Sequence, residues 1–516
     1  MAAATMTSRV LGMVREMVYA GFMGNTAVAS AFTLAFQVPN LFRRLLGEGA
    51  LTAAFIPIFK QKEVQQGETE MWRSANAVLS GVATAAGALT ILAVLVITGV
   101  LLFGKYSLHE ETKLMLRLLR LMFPYMLLVC IAAVLIGMAN ARGHFFVPAL
   151  GAVVLNLIMI GSVLFLAPRM GPRLEDQIVG LAIGVVLAGL AQALFQLPSL
   201  QREGFSYQWV SPWHDPTVRE VARKMIPGSI GVAAFQINVL ITQTFSFWFD
   251  PTIVATFNYS VRLMELPQGI FGISLATFLL PALSGLTAEK KFPEFRQTLN
   301  QGLSYLSFAN LIAAAIALTL ATPIVRLLFE HGKFDAYATE RVALALACLA
   351  PGLLMFSMNN ILARAFYALG DIKTPMKISI LCLALNLGFA VWLVQRSREA
   401  GLGVANSLSA ACNTLLLLYA LRRKLTNLGL SGFKHTLLVL APNAVLAGVI
   451  AAGLAYLWER KLGHTTLALK LGAVFVPGAI AGLVYWGIAV WAKVPAATDI
   501  AAMIFRKFKR SGTKDS

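Results

Sequence analysis

Charge is what this sequence has least of. Only 13% of its 516 residues are Asp, Glu, Lys or Arg, against about 25% in an ordinary soluble domain. With 58% hydrophobic residues, the same chain folded in water would expose apolar area far beyond the few hundred Å² of a soluble surface. A soluble enzyme and a disordered chain are both excluded. Cysteine is scarce as well. Cys130, Cys348, Cys382 and Cys412 all sit in apolar runs, at spacings that suit neither a disulfide-stapled fold nor a metal site. The six histidines fall in loops or at run ends without an HExxH pattern, and no GxxxxGK[ST] phosphate loop is present. No metal, cofactor or catalytic constellation is expected, so the chain reads as a transporter and not an enzyme.

What the sequence has in abundance is long apolar runs. A helix needs about 20 mostly apolar residues to cross a bilayer. Uncharged stretches of that order occupy 17–42, 74–104, 121–141, 145–168, 177–201, 225–249 and 266–288, then 297–325, 342–363, 378–395, 400–421, 436–458 and 471–492. The turn signal Gly24-Asn25 splits the first run. One helix then reaches back over Arg9 and Arg15 and a second follows, giving about 14 spans. A barrel would show alternating segments of about 10 residues, and these runs are solid. The fold class is an all-α polytopic membrane protein. The start lacks an uninterrupted apolar core of a signal peptide, so the first span is expected to be retained.

The formal net charge of +19 could suggest nucleic acid, but its distribution argues otherwise. With both termini on one side, about 24 Lys/Arg fall in that side's loops against about 11 opposite, the positive-inside bias. Both termini are therefore expected in the cytoplasm, with the protein multi-pass in the bacterial plasma (inner) membrane. Membrane lipids are expected partners: Arg422, Arg423, Lys424 and the basic tail 506–510 suit anionic headgroups.

An internal repeat is legible. Pro124, Gly143 and Pro148 recur 227 residues later as Pro351, Gly370 and Pro375. A second likeness pairs the text around Pro57 with that around Pro281, at an offset of 224. An offset of about six helices preserves orientation, so the repeat is parallel. It predicts two pseudo-symmetric six-helix lobes around a central cavity, plus two further helices. The expected boundaries are an N-lobe 1–201, a cytoplasmic amphipathic linker 202–224 and a C-lobe 225–424. The last two spans occupy 425–492 and a basic cytoplasmic tail 493–516. Facing lobes imply alternating access.

Ionisable groups inside a membrane are costly and usually face a cavity or a partner. Here they are Arg9, Arg15 and Glu16 on the first span, Arg43, Arg44 and Glu48 on the second, and Arg262 and Glu265 on the eighth. Spacing suggests pairs: Arg9 with Glu16 seven apart, Arg44 with Glu48 at i,i+4, and Arg262 with Glu265 at i,i+3. Arg15 and Arg43 have no such acid on their own face. Five arginines against three acids make a cationic cavity for an anionic substrate. Guanidinium suits a diphosphate, because its planar fork makes paired, charge-assisted hydrogen bonds to phosphate oxygens. Pro39, Gly47 and Gly49 would bend or thin the second span beside these arginines.

At these residues the chain resembles the MurJ/MviN lipid II flippases of the multidrug/oligosaccharidyl-lipid/polysaccharide exporter superfamily. The likeness rests on SRVLGMVRE (8–16), AFQVPNLFRRLLGEGALTAAFIPIF (35–59), RLMELPQGIFGISLATFLLPALS (262–284) and GDIKTPMKI (370–378). It implies 14 helices, a groove for a polyprenyl tail on the last two, and movement of undecaprenyl-diphosphate-linked peptidoglycan precursor from the inner to the outer leaflet. The implied substrate-binding residues are Arg9, Arg15, Arg43 and Arg262. Glu16, Asn40, Arg44, Glu48 and Glu265 would support or gate the cavity. Lipid II is the implied partner, with peptidoglycan-synthesis proteins as further ones and no nucleic acid. Ser30 and Val261 stand where relatives carry Asp. Coupling to membrane potential or a monovalent ion is left without a site. Two alternatives stay open: export of another polyprenyl-diphosphate glycan, and a non-transporting envelope-assembly scaffold.

Overall fold

The computed structural model describes residues 2–47, 50–104 and 106–502. Among the described residues every regular element is helical. In chain order these are α1 (Ala2–Met23), α2 (Ala27–Phe42), α3 (Ala50–Phe103), α4 (Glu110–Met122), α5 (Pro124–Ala141), α6 (Phe146–Gly161), α7 (Leu174–Arg202), α8 (Pro216–Phe249) and α9 (Ile253–Pro267). They continue with α10 (Ser274–Ala288), α11 (Phe292–Thr319), α12 (Ala321–Phe329), α13 (Ala336–Leu349), α14 (Gly352–Ala368), α15 (Lys373–Leu425), α16 (Ser431–Lys461) and α17 (Leu467–Trp491). The turn expected at Gly24-Asn25 is there: Gly24 takes φ +62° and Thr26 caps α2 through a bond from the Ala29 amide.

Nine helical stretches among the described residues are long and apolar enough to cross a membrane, or ten if α13 and α14, bent by 46°, make one span. The all-α polytopic class stands. Part of the difference from the runs read in the sequence has a local cause. α1 carries Arg9, Arg15 and Glu16, and α2 is only 16 residues long before its backbone changes pitch. α15 is 53 residues long, but Ser397 (φ −136°) and Arg398 (φ +47°) leave helical geometry between the two apolar runs it contains. α3 breaks in the same way at Gly67 (φ +84°, ψ 174°).

The chain packs as two compact units, Met1–Ala255 with His331–Phe334, and Thr256–Glu330 with Asp335–Ser516. The boundary falls inside α9. In unit 1, α5 packs between α3 and α7. A chain of ring contacts, Phe55–Phe59, Phe59–Trp72 and Trp72–Phe205, runs through the core with centroids 5.3–5.5 Å apart. Small residues on α5, such as Ala132 and Ala139, are buried beside them. That composition suits helices in lipid, which associate through close packing and interhelical hydrogen bonds. Ser30 shows the second term. Its buried hydroxyl accepts from the Ala255 amide at 2.9 Å, satisfying one of the donors that the first turn of α9 leaves orphaned.

In unit 2, α14 packs on α10, α11 and α15 around Leu279, Phe295, Ile361, Phe366 and Leu421. α16 and α17 belong to this unit. Tyr485, 1% exposed, donates to the Phe308 carbonyl of α11 at 3.0 Å, and Asn443 donates to the Tyr485 carbonyl at 2.8 Å. Arg341 of α13 meets Glu399 of α15 in two parallel hydrogen bonds of 2.7 Å, both side chains buried.

The repeat has a local structural counterpart in each unit. α5 ends with the Gly143 amide bonded to Asn140 O and His144 to Ala139 O. α14 ends with Gly370 bonded to Tyr367 O and Asp371 to Phe366 O. Both are Schellman turns, which need a left-handed residue, and the glycines supply φ +87° and +72°. Pro148 and Pro375 are each the third residue of the next helix, where the amide they lack would have no intrahelical partner.

Candidate functional site

The first cluster lies on α1 and α6. Arg15 and Glu16 are adjacent in sequence, and such neighbours do not face each other on a helix. The long guanidinium arm closes the gap, placing Nη2 2.5 Å from the Glu16 carboxylate. Its Nη1 donates to Asn156 Oδ1 of α6 at 3.1 Å, and the Tyr19 ring lies 5.5 Å from the guanidinium carbon. Asn156 in turn donates to the Ser8 carbonyl at 3.2 Å. Glu16 and Asn156 are each 5% exposed. This corrects two expectations. Glu16 is bound to Arg15, and Arg15 does have a local acid. Seven residues separate Arg9 from Glu16 by about 10 Å along the axis, and a buried carboxylate needs its cation in contact. Arg9 is exposed and has no ion-pair partner among the described residues.

The second cluster lies at the end of α2. Arg43 Nε donates to Asn40 Oδ1 at 2.7 Å, so Asn40 fills the place on this face that the sequence left without an acid. Arg43 also opens a π-helical segment, Arg43–Gly47. Pro39, within α2, stands four residues before this change of winding. π segments are rare and frequent at functional sites. Arg44 is half-buried. Glu48 lies outside the described residues, and with it the expected Arg44–Glu48 pair.

The third cluster, in unit 2, is on α9. Arg262 Nη1 donates to Glu265 at 2.8 Å, the i,i+3 contact that the spacing predicts. Their side chains are 31% and 48% exposed. A second π-helical segment, Gln268–Ile273, follows directly. Both arginine-bearing stretches of the repeat therefore run into a π-helical stretch and then into helix, α3 with Pro57 and α10 with Pro281.

A cavity of about 910 Å³ in unit 1 is lined by Arg117, Arg120, Glu110, Glu111, Glu175 and Asp176 among others. Arg9, Arg15 and Arg43 are not among its lining residues. No group of three or more His, Cys, Asp or Glu side chains among the described residues could hold a metal ion.

Sequence reasoning missed Asn156, whose one available signal is that it is a lone amide in the apolar run 145–168. It also missed Arg142, which contacts Glu63, Glu68 and Glu203 at 2.5, 3.1 and 2.9 Å. Glu63 and Glu68 flank the break at Gly67, so one guanidinium ties both arms of α3 to the end of α7. Hydrogen bonds from His144 and then Arg142 hold the Glu203 carboxyl below its ordinary value.

The family model described as "Lipid II flippase MurJ" matches residues 19–471. The lipid II flippase MurJ of Burkholderia cenocepacia is 34% identical over 430 residues, covering 81% of this chain and 82% of that protein. The probable lipid II flippase MurJ of Vibrio cholerae is 32% identical over 483 residues, with 90% and 89% covered. Among solved structures, a lipid II flippase MurJ in an inward closed conformation superposes with a TM-score of 0.77 at 22% identity, over 95% of this chain and 98% of that one. An inward-facing multidrug resistance MATE transporter of the MOP superfamily gives 0.66 at 15% identity, over 82% and 96%. The fold is thus shared with these solved transporters, and the chain, an integral membrane protein, belongs to the MurJ lipid II flippase family.

Proposed function

We propose that the protein translocates lipid II from the inner to the outer leaflet of the bacterial plasma membrane, with both termini in the cytoplasm. Arg9, Arg15, Arg43 and Arg262 hold the diphosphate in an arginine-lined cavity, and the two lobes expose it to each side in turn. No covalent step is involved. Keeping the polyprenyl tail in lipid, or in a groove on α16 and α17, avoids a cost of about 0.8 kcal/mol for each CH₂ moved into water. Glu16, Asn40, Arg44, Glu48 and Glu265 position the arginines and give them partners when the substrate has left.

The observation that carries this reading is the state of Arg15. A carboxylate, an amide and a ring are among the groups that hold its guanidinium in a largely buried setting. A cation kept there at the cost of burial is a receptor for an anion of matching fork geometry. Family membership supports lipid II as that anion.

The test is leaflet exchange of lipid II in proteoliposomes, wild type beside Arg43→Ala and Arg262→Ala. Exchange by the wild type that collapses in both variants is expected. Normal exchange by Arg262→Ala in folded protein overturns the cavity, and exchange of other polyprenyl diphosphates but not lipid II overturns the substrate.

A further inference from the structure

Asn156 touches α1 twice. Its Oδ1 accepts from Arg15 Nη1, and its Nδ2 donates to the Ser8 carbonyl. These two bonds fix the amide's orientation, because only the oxygen can accept and only the nitrogen can donate. Gly12 of α1 faces this amide: a Cβ there would stand 3.9 Å from Asn156 Nδ2, in ordinary van der Waals contact. Glu16 takes the other terminal nitrogen of the guanidinium. Arg15 is therefore oriented from two sides, by a charged group on its own helix and by a neutral one on α6.

That division has a chemical consequence. A second carboxylate in place of the amide would make the cluster net negative beside Glu16 and repel an incoming diphosphate. An apolar residue would remove the hydrogen bond that Nη1 makes across to α6 at a largely buried site. An amide aims the fork without reducing its charge. We propose that Asn156 is a positioning residue for substrate binding, acting through Arg15 by holding its guanidinium plane ready for a diphosphate. This rests on the reading of Arg15 as a diphosphate ligand.

The test is a double-mutant cycle on lipid II affinity, measured with the full-length protein in nanodiscs. Asn156→Leu in the wild-type background is expected to weaken binding about tenfold, the scale of one hydrogen bond to a charged group. In an Arg15→Ala background the same change is expected to weaken binding less than twofold, because the group through which it acts is gone. Asn156→Ser, polar but too short to reach Nη1, repeats the cycle if the leucine variant does not fold. An equal loss in both backgrounds would mean that Asn156 only fastens α6 to the Ser8 carbonyl, and overturns the proposal. So does no loss in either. A folded wild type that binds no lipid II overturns the function reading itself, and this inference with it.

Discussion

Arg15 and Arg262 present the same cation in two settings. Arg15 in unit 1 is 15% exposed and bonded to a carboxylate that is itself buried, with Asn156 reaching in from another helix. Arg262 in unit 2 is about twice as exposed, and its carboxylate partner sits three residues away on the same helix and half in the open. The first arginine is part of how α1 and α6 are joined. The second pairs with an acid on its own helix. The proposed function asks the same of both, whereas stability asks much more of the first.

The largest expected effects follow from that asymmetry. Arg262→Ala should abolish lipid II translocation yet shift stability by less than about 1 kcal/mol, since it removes an exposed local pair. Arg15→Ala should also lose translocation, and in addition cost about 3 kcal/mol, because it strands a buried carboxylate and a buried amide. Thermal melts of purified protein beside proteoliposome exchange separate the two. Equal melting temperatures for the variants would erase the comparison.

Arg341 and Glu399 sharpen it, as a buried pair outside the proposed site. Glu399→Ala should cost about 3–5 kcal/mol by leaving Arg341 buried and uncompensated, whereas Arg341→Met with Glu399→Leu should come close to neutral. Translocation by the double variant should persist. Loss of transport in a stable double variant would bring this pair into the mechanism.

The sequence carried the class, the repeat and one ion pair, for physical reasons that also explain what escaped it. Hydrophobic runs are long-range averages, so helices survive a wrong partner or a missed kink. The Arg262–Glu265 contact is local, set by helical spacing alone. Arg15–Glu16 violates that spacing rule, because a side chain as long as arginine can reach round the helix when burial demands a partner. Arg15–Asn156 and Arg142–Glu203 join residues 141 and 61 apart, and no periodicity links them. The π-helical segments after Arg43 and Arg262 were foreshadowed only as a bend near Pro39.

The two Schellman turns allow a finer comparison, since backbone and charge separate there. Their backbones match, so Gly143→Ala and Gly370→Ala should each cost about 1 kcal/mol by forcing an L residue into the left-handed region. Unequal costs in thermal melts would show that the turns are not equivalent. Their ion pairs have opposite polarity. In unit 1 the turn is basic, Arg142 and His144, and the helix end supplies Glu203. In unit 2 the turn supplies Asp371, and Lys424 at the end of α15 reaches it at 2.6 Å. The hydrogen bond from Lys424, helped by the Thr374 amide, lowers the Asp371 carboxyl to about 2. An aspartate in an unfolded chain titrates near about 3.9. A folded value below the unfolded one means that the contribution is complete above about pH 4 and is lost as pH falls toward 2. The stability difference between wild type and Asp371→Asn should therefore be constant from neutral pH down to about 4 and then shrink. A difference that stays constant down to pH 2 would show that Lys424 does not hold the carboxylate in the folded protein.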